Sequence, residues 1–131
     1  MSAEENKTLL KNMFAEFAKG NGDALVDAMH DDIEWTLTGT TSISNVYKGK
    51  KSVLEDFLGP VTAAVDGHMH ITPENFIADG DYIALQGHGE ARMKNGAEYN
   101  NTYCWVYKFK DGKIISVVEY LDTELVTKAF G

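Results

Sequence analysis

With 131 residues, 44% of them apolar and 11% aromatic, the chain has material for one hydrophobic core and not for two, so a single domain over 1–131 is expected. A net charge of -8 and the lack of any Lys/Arg cluster argue against nucleic acid or an anionic membrane as partner. One cysteine, Cys104, leaves no internal disulfide, the opening residues are too polar for a signal peptide and no apolar run is long enough to span a bilayer, so a cytoplasmic location is expected.

From Ala3 to Lys19, Leu9, Leu10, Met13, Phe14 and Phe17 recur at three and four residue intervals, which predicts an amphipathic helix. Gly20-Asn21-Gly22 ends it, and Asp23 is placed to cap a second helix whose Leu25, Val26 and Met29 face inward. After His30-Asp31-Asp32, the alternation of Ile33, Trp35 and Leu37 predicts a short strand. Thr38 to Val46 reads as a loop. Tyr47-Lys48-Gly49 then leads into a third helix with Val53, Leu54, Phe57 and Leu58 as its inner stripe, interrupted at Gly59-Pro60. Strands follow: His68 to Ala78, with Pro73 marking an edge or bulge, Tyr82 to Met93, and a long hairpin from Tyr99 to Thr123. Helices first and an antiparallel sheet after them make an α+β arrangement.

The last hairpin turns at Asp111-Gly112, and two registers are possible. A two-residue turn pairs Lys110 with Lys113; a three-residue turn closed by a glycine bulge pairs Phe109 with Lys113. The second is preferred because it gathers Asn101, Tyr103, Trp105, Tyr107, Phe109, Ile115, Val117, Glu119 and Leu121 on one face. It also sets Tyr103 across from Glu119. Thr102, Cys104, Val106, Ile114, Val118 and Tyr120 then form an opposite strip, apolar enough to suggest a homodimer through the outer face of the sheet.

Glu119 stands out on the apolar face. A carboxylate between Val117 and Leu121 must be hydrogen-bonded, neutralised or wetted by a cavity, so this face is expected to line a pocket. Trp35, Tyr47, Trp105, Tyr107, Val117 and Leu121 are its expected ligand-binding walls, although aromatic residues fill solid cores as well. The Asn95-Gly96 turn leaves His88 and Glu90 undecided: a two-residue turn brings both inward, making His88 a pocket residue, and a bulged one sends both outside. His68 and His70 share a strand face without a third ligand at a familiar spacing, so no metal site is expected. Cys104 has no evident activating base.

The opening helix, His30-Asp31-Asp32-Ile33-Glu34-Trp35, Tyr47-Lys48-Gly49, Asp79-Gly80-Asp81, Tyr99-Asn100-Asn101-Thr102-Tyr103, Asp111-Gly112-Lys113-Ile114 and Glu119-Tyr120-Leu121-Asp122 together resemble the nuclear transport factor two-like superfamily, within it the SnoaL-like, ketosteroid-isomerase-related group. The resemblance spans essentially the whole chain and implies a cone-shaped, strongly curved, mostly antiparallel sheet wrapped around N-terminal helices, the cystatin-like α+β barrel. It also implies dimers through the outer sheet face and an acidic base on a pocket-facing strand. The first helix departs from ketosteroid isomerase proper, offering Phe14 and Phe17 and no tyrosine.

Resemblance and residues together lead to one expectation and one alternative. The expectation is a small-molecule-binding protein, a cofactor-independent isomerase or cyclase moving a proton on a hydrophobic cyclic carbonyl compound. In that scheme Glu119 is the general base, and Tyr103 and Asn101 donate to the developing oxyanion. The alternative is a ligand-binding or dimerisation module without chemistry. An open cavity beside Glu119 favours the first and a sealed packing contact the second.

Overall fold

The structure is a computed structural model describing residues 1–131. It opens with α1 (Ala3–Ala18), whose start is a capping box: Ser2 Oγ accepts from the Glu5 backbone N–H and Glu5 Oε1 accepts from that of Ser2, both at 3.1 Å. Its buried stripe is Asn6, Leu10, Met13 and Phe14. The short α2 (Asp23–Ala28) runs into strand β1 (Met29–Leu37), so Met29 belongs to the strand and is buried there.

A strand absent from the sequence reading, β2 (Asn45–Lys48), pairs antiparallel with β1, Trp35 opposite Tyr47. The third helix then comes in three parts: α3 (Lys50–Ser52), a π-helical stretch (Val53–Leu58) and α4 (Gly59–Ala64). The widening has a local cause. Pro60 has no N–H to continue an α-helical ladder, and the Gly59 N–H reaches back five residues to the Leu54 carbonyl, where an added Cβ would lie 2.8 Å from that oxygen. The π-turn carries Val53 and Phe57 to the core, and Phe57 stacks on Tyr47 with ring centroids 4.8 Å apart.

Strands β3 (Val65–Asp79), β4 (Tyr82–Met93), β5 (Glu98–Lys110) and β6 (Lys113–Leu121) complete one curled, open sheet of order β2-β1-β6-β5-β4-β3. Only β1 and β6 run parallel. Helices lie on the inner face, where Ile33, Trp35, Leu37, Ile83, Leu85, the alternate residues Tyr103 to Phe109, Ile114 and Val117 join Leu10, Met13, Phe14, Val53 and Phe57 in one core. The α+β expectation therefore holds.

Register is where sequence and structure part. Asp111 and Gly112 both have positive φ, 51° and 75°, the signature of a two-residue type I′ turn, and Lys110 pairs with Lys113. The preferred three-residue turn is thus corrected. Alternation is restored by a bulge one step further along, where Phe109 faces Ile114 and Lys108 faces Ser116. Ile115 is the extra residue; Ile114 points inward and Ile115 outward, the reverse of expectation. Glu119 consequently faces Trp105 across the ladder, while Tyr103 faces Leu121. At Asn95-Gly96 the chain takes the bulged alternative: the Met93 N–H bonds to Ala97 O at 2.8 Å and Arg92 pairs with Glu98. His88 is thereby paired with Thr102 on the outer face, and the pocket assignment for His88 is corrected.

The chain ends in α5 (Thr123–Phe130), a helix the sequence reading did not include. Val126 and Ala129 pack with Val65, Met93 and Tyr99 in a second, smaller core.

Candidate functional site

Glu119 is brought inside by three elements. The parallel β1–β6 pairing sets Leu37 beside it, the antiparallel β5 sets Trp105 opposite, and the Thr38 backbone N–H and hydroxyl both donate to its carbonyl, at 3.2 and 2.9 Å. Its side chain receives the Trp35 indole, Nε1 donating to Oε1 at 2.9 Å. Glu119 is 7% exposed where neighbouring Val117 is 0%, and no cation lies among its partners.

Those surroundings decide its protonation. Burial pushes the Glu119 carboxyl up to about 7, against a smaller downward pull from the Trp35 and Trp105 indoles. Near neutral pH the group is poised between acid and base. The tyrosines shift in the same direction: burial keeps the Tyr103 phenol neutral well beyond its ordinary range, with Tyr99 and then Glu119 adding to the effect. Tyr107 is held neutral by burial and by Glu119.

The rings around the carboxylate pack in two groups, one on each side. Tyr103 and Trp105 stack at 4.4 Å with planes 11° apart, Phe14 lies 6.2 Å from Trp105, and Phe57 lies 5.6 Å from Trp35. Trp35, Trp105, Tyr103, Tyr107 and Val117 thus meet at or beside Glu119, and Leu121 borders them half-buried. Tyr47 joins the wall opposite Trp35 across the β1–β2 ladder and by stacking on Phe57, and its hydroxyl donates to the Ile43 carbonyl at 2.6 Å.

Two other candidates lie apart from this cluster. Asn101 is buried at the far end of the same face with every polar atom engaged: Nδ2 donates to Tyr99 Oη and Asp122 O, both at 3.1 Å, while Oδ1 accepts from Thr102 N at 2.8 Å and Asp122 N at 3.0 Å. It grips the start of α5 from both sides of one residue. His88 sits outside, its Nδ1 3.0 Å from Glu74 Oε1. Glu74 is the extra residue of a bulge between Pro73 and Asn75, opposite Gly87, where a Cβ would stand 2.7 Å from Thr72 O.

Two surface clefts lie away from Glu119. One, of about 530 Å³, lies between Asn6, Asp81 and the β5–β6 turn, and the other, of about 630 Å³, lies around Glu74, Gln86, Thr102 and Tyr120; neither reaches Glu119. Asn6 Oδ1 is buried without a partner. No group of three His, Cys, Asp or Glu side chains is arranged to hold a metal, and no helix is long and apolar enough to cross a membrane. The sequence reading missed the Trp35 indole as the donor to Glu119; it treated Trp35 as wall alone, and its position on an inward-facing strand was the available signal.

Comparison with known proteins defines the class. Residues 10–117 match the family described as the SnoaL-like domain, and the chain belongs to that family. The matched stretch stops before Glu119 and α5. An uncharacterised protein of Mycobacterium tuberculosis is 23% identical over 130 residues, covering 99% of this chain and 98% of its own length. Among solved structures, a nuclear transport factor two-like protein from Burkholderia xenovorans superposes with a TM-score of 0.77 at 24% identity, over 100% of this chain and 99% of its own. TerC, co-crystallised with polyporic acid, gives 0.80 at 22% identity over 95% and 97%. These likenesses establish the cystatin-like fold of the superfamily.

Proposed function

We propose that the protein, acting as one domain over residues 1–131, binds a small hydrophobic cyclic carbonyl compound and moves a proton within it, as a cofactor-independent isomerase or cyclase. One observation carries this reading: the carboxyl of Glu119, held between two indoles and raised to about 7, matches the pH at which a general base works best. The Glu119 carboxylate takes a proton from the carbon next to the carbonyl, becoming the neutral acid, and the ring acquires an enolate. Tyr103, kept as the neutral phenol, donates to that oxygen. Returning the proton to a different carbon regenerates the carboxylate, and so does closing the enolate carbon onto a second carbonyl with the Glu119 proton passing to the alkoxide oxygen formed there. Trp35, Trp105, Tyr107, Val117 and Leu121 supply flat apolar contact, Tyr47 braces Phe57, and Asn101 shapes the end of the cup by holding Asp122. TerC, of the same fold, was crystallised with polyporic acid, an additional reason to test cyclic carbonyl compounds.

The second reading, a binding or dimerisation module without chemistry, is favoured by a different observation: Glu119 is 7% exposed and the rings around it pack on one another. A thermal-shift screen of cyclic ketones, lactones and quinones separates the two, since a binder raises the melting temperature whatever its reaction. Compounds that stabilise the protein are then assayed for conversion. The proton-transfer reading expects Glu119→Gln to keep binding and lose at least about a hundredfold in turnover; turnover equal to wild type overturns it. Binders that are never converted leave the second reading.

This proposal also places the protein in the cytoplasm as a homodimer. Thr102, Cys104, Val106, Val118 and Tyr120 line an outer strip in which Tyr120 is 49% exposed, and Ile115 joins it in place of Ile114. Sedimentation that shows only monomer at micromolar concentration removes the dimer.

A further inference from the structure

A ligand bound against Glu119 has to displace part of its surroundings, because the side chain is 7% exposed among packed rings and neither of the two clefts described above is lined by it. The enclosing elements differ in how firmly they are held. Helix α1 and the π-turn place Leu10, Met13, Phe14, Val53 and Phe57 in the main core. The Thr38–Ser44 loop is laced by its own bonds: Ser44 Oγ to Thr38 O, the Thr41 N–H to Ser44 Oγ, Thr38 Oγ1 to Glu119 O. Helix α5 stands apart. Its buried residues, Val126 and Ala129, belong to a separate five-residue cluster with Val65, Met93 and Tyr99, and only Ile43 and Leu121 touch both clusters.

Its polar attachments are few and sit at its two ends. Asn101 holds Asp122, Asp122 Oδ1 caps the first turn by accepting from Glu124 N at 3.0 Å and Leu125 N at 3.4 Å, and at the other end Asn95 Nδ2 reaches Ala129 O at 3.1 Å. Beneath it the inner residues of β5 run in order from Tyr99, which meets Phe130 edge-on at 5.4 Å, through Asn101 to Tyr103 and Trp105. Lifting α5 uncovers that path from the Tyr99 end.

We propose that α5 is the door of the cup: it opens locally about Asp122, with the sheet and α1 still folded, and gives small molecules their route along Tyr99 and Tyr103 to Glu119. Eight residues holding a small independent core are the kind of unit that opens below the global unfolding energy. The door concerns the same site as the proposed proton transfer and rests on that reading for its purpose, but the opening is tested without any ligand.

The two tryptophans of the chain, Trp35 and Trp105, both lie beside Glu119, so their fluorescence reports the cup alone. Acrylamide, a small neutral quencher, is the probe. Two cap deletions of similar chemistry are compared: Asp122→Ala at the start of α5 and Ser2→Ala at the start of α1. Loss of an N-cap is expected to raise the population of the opened helix about fivefold. The door predicts that the quenching constant rises severalfold in Asp122→Ala and stays at the wild-type value in Ser2→Ala. If Asp122→Ala does not fold, Asn95→Ala, which cuts the exposed tether at the far end, takes its place with the same expectation. Equal quenching in the α1 and α5 variants overturns the door, and so does hydrogen exchange in which α5 amides are protected to the same degree as those of β5. Selective quenching together with a silent ligand screen keeps the door and removes the proposed ligand; the converse result removes the door alone.

Discussion

Replacing Glu119 by Gln takes one titrating group out of the protein interior while leaving the Trp35 indole an oxygen of similar position to bond. Burial raises the Glu119 carboxyl from 4.5 to about 7, so the folded protein holds this proton more tightly than the unfolded chain does. Between those two pH values the native state carries the extra proton, and stability therefore falls as pH rises from about 4.5 to about 7, then levels once both states are ionised. At about 1.4 kcal/mol per pH unit the whole fall is roughly 3 kcal/mol. About 2 kcal/mol of it lies between pH 5.5 and 8.5, a range that avoids the sequence pI near 4.8. The Gln variant lacks this component, whatever constant offset its amide hydrogens introduce. Urea unfolding of both proteins across that range isolates the effect as a difference of slopes: the variant should gain about 2 kcal/mol on wild type between pH 5.5 and 8.5, about 6 to 10 °C in melting temperature. Parallel curves for the two proteins would refute the reasoning, because a carboxylate that titrates alike folded and unfolded is neither buried nor poised.

Three other substitutions probe the supports of the site. Trp35→Phe removes the donor that pulls the Glu119 carboxyl down, so its titration midpoint should move upward and stability fall by about 1 to 3 kcal/mol; a downward move contradicts the assigned geometry. Asn101→Ala leaves the Asp122 N–H and Tyr99 hydroxyl without their partner and should cost about 2 to 4 kcal/mol in urea unfolding, whereas a cost below about 0.5 kcal/mol would show that α5 is held by other means. Gly87→Ala drives a methyl group against the Thr72 carbonyl at 2.7 Å and should destabilise by about 1 to 3 kcal/mol, while His88→Ala, which breaks only an exposed hydrogen bond with Glu74, should change stability by less than about 1 kcal/mol.

The fold was legible because its signals are long and redundant. The α1 stripe, the Ile33-Trp35-Leu37 alternation and the three closing strands each repeat their period several times. What failed was phase. At Asp111-Gly112 both positions take positive φ, as a type I′ turn requires, which sets Phe109 opposite Ile114, yet Val117 and Glu119 still face inward because Ile115 bulges out. Two irregularities cancelled, so the face of Glu119 was read correctly while its opposite number was not: Trp105 stands where Tyr103 was expected. Local propensity does not reveal such a bulge, since Ile114 and Ile115 are alike in size and hydropathy. At Asn95-Gly96 the three-residue loop is common chemistry for the dipeptide, and only the pairing below it put His88 outside. Helix α5 carried a readable signal in its Asp122 cap and its Leu125, Val126, Ala129, Phe130 spacing, which the sequence reading left unused. β2 was too short and polar to be distinguished from the loop before it.

The account turns on the ionisation of one side chain, and carbon-13 NMR of the glutamate carboxyl groups observes it directly. With Glu119 assigned by the resonance that vanishes in Glu119→Gln, a titration midpoint close to 7 is the result predicted from its burial between two indoles. A midpoint at 4 to 4.5, where solvated glutamates titrate, would contradict the enclosed carboxyl and with it the proton-transfer reading.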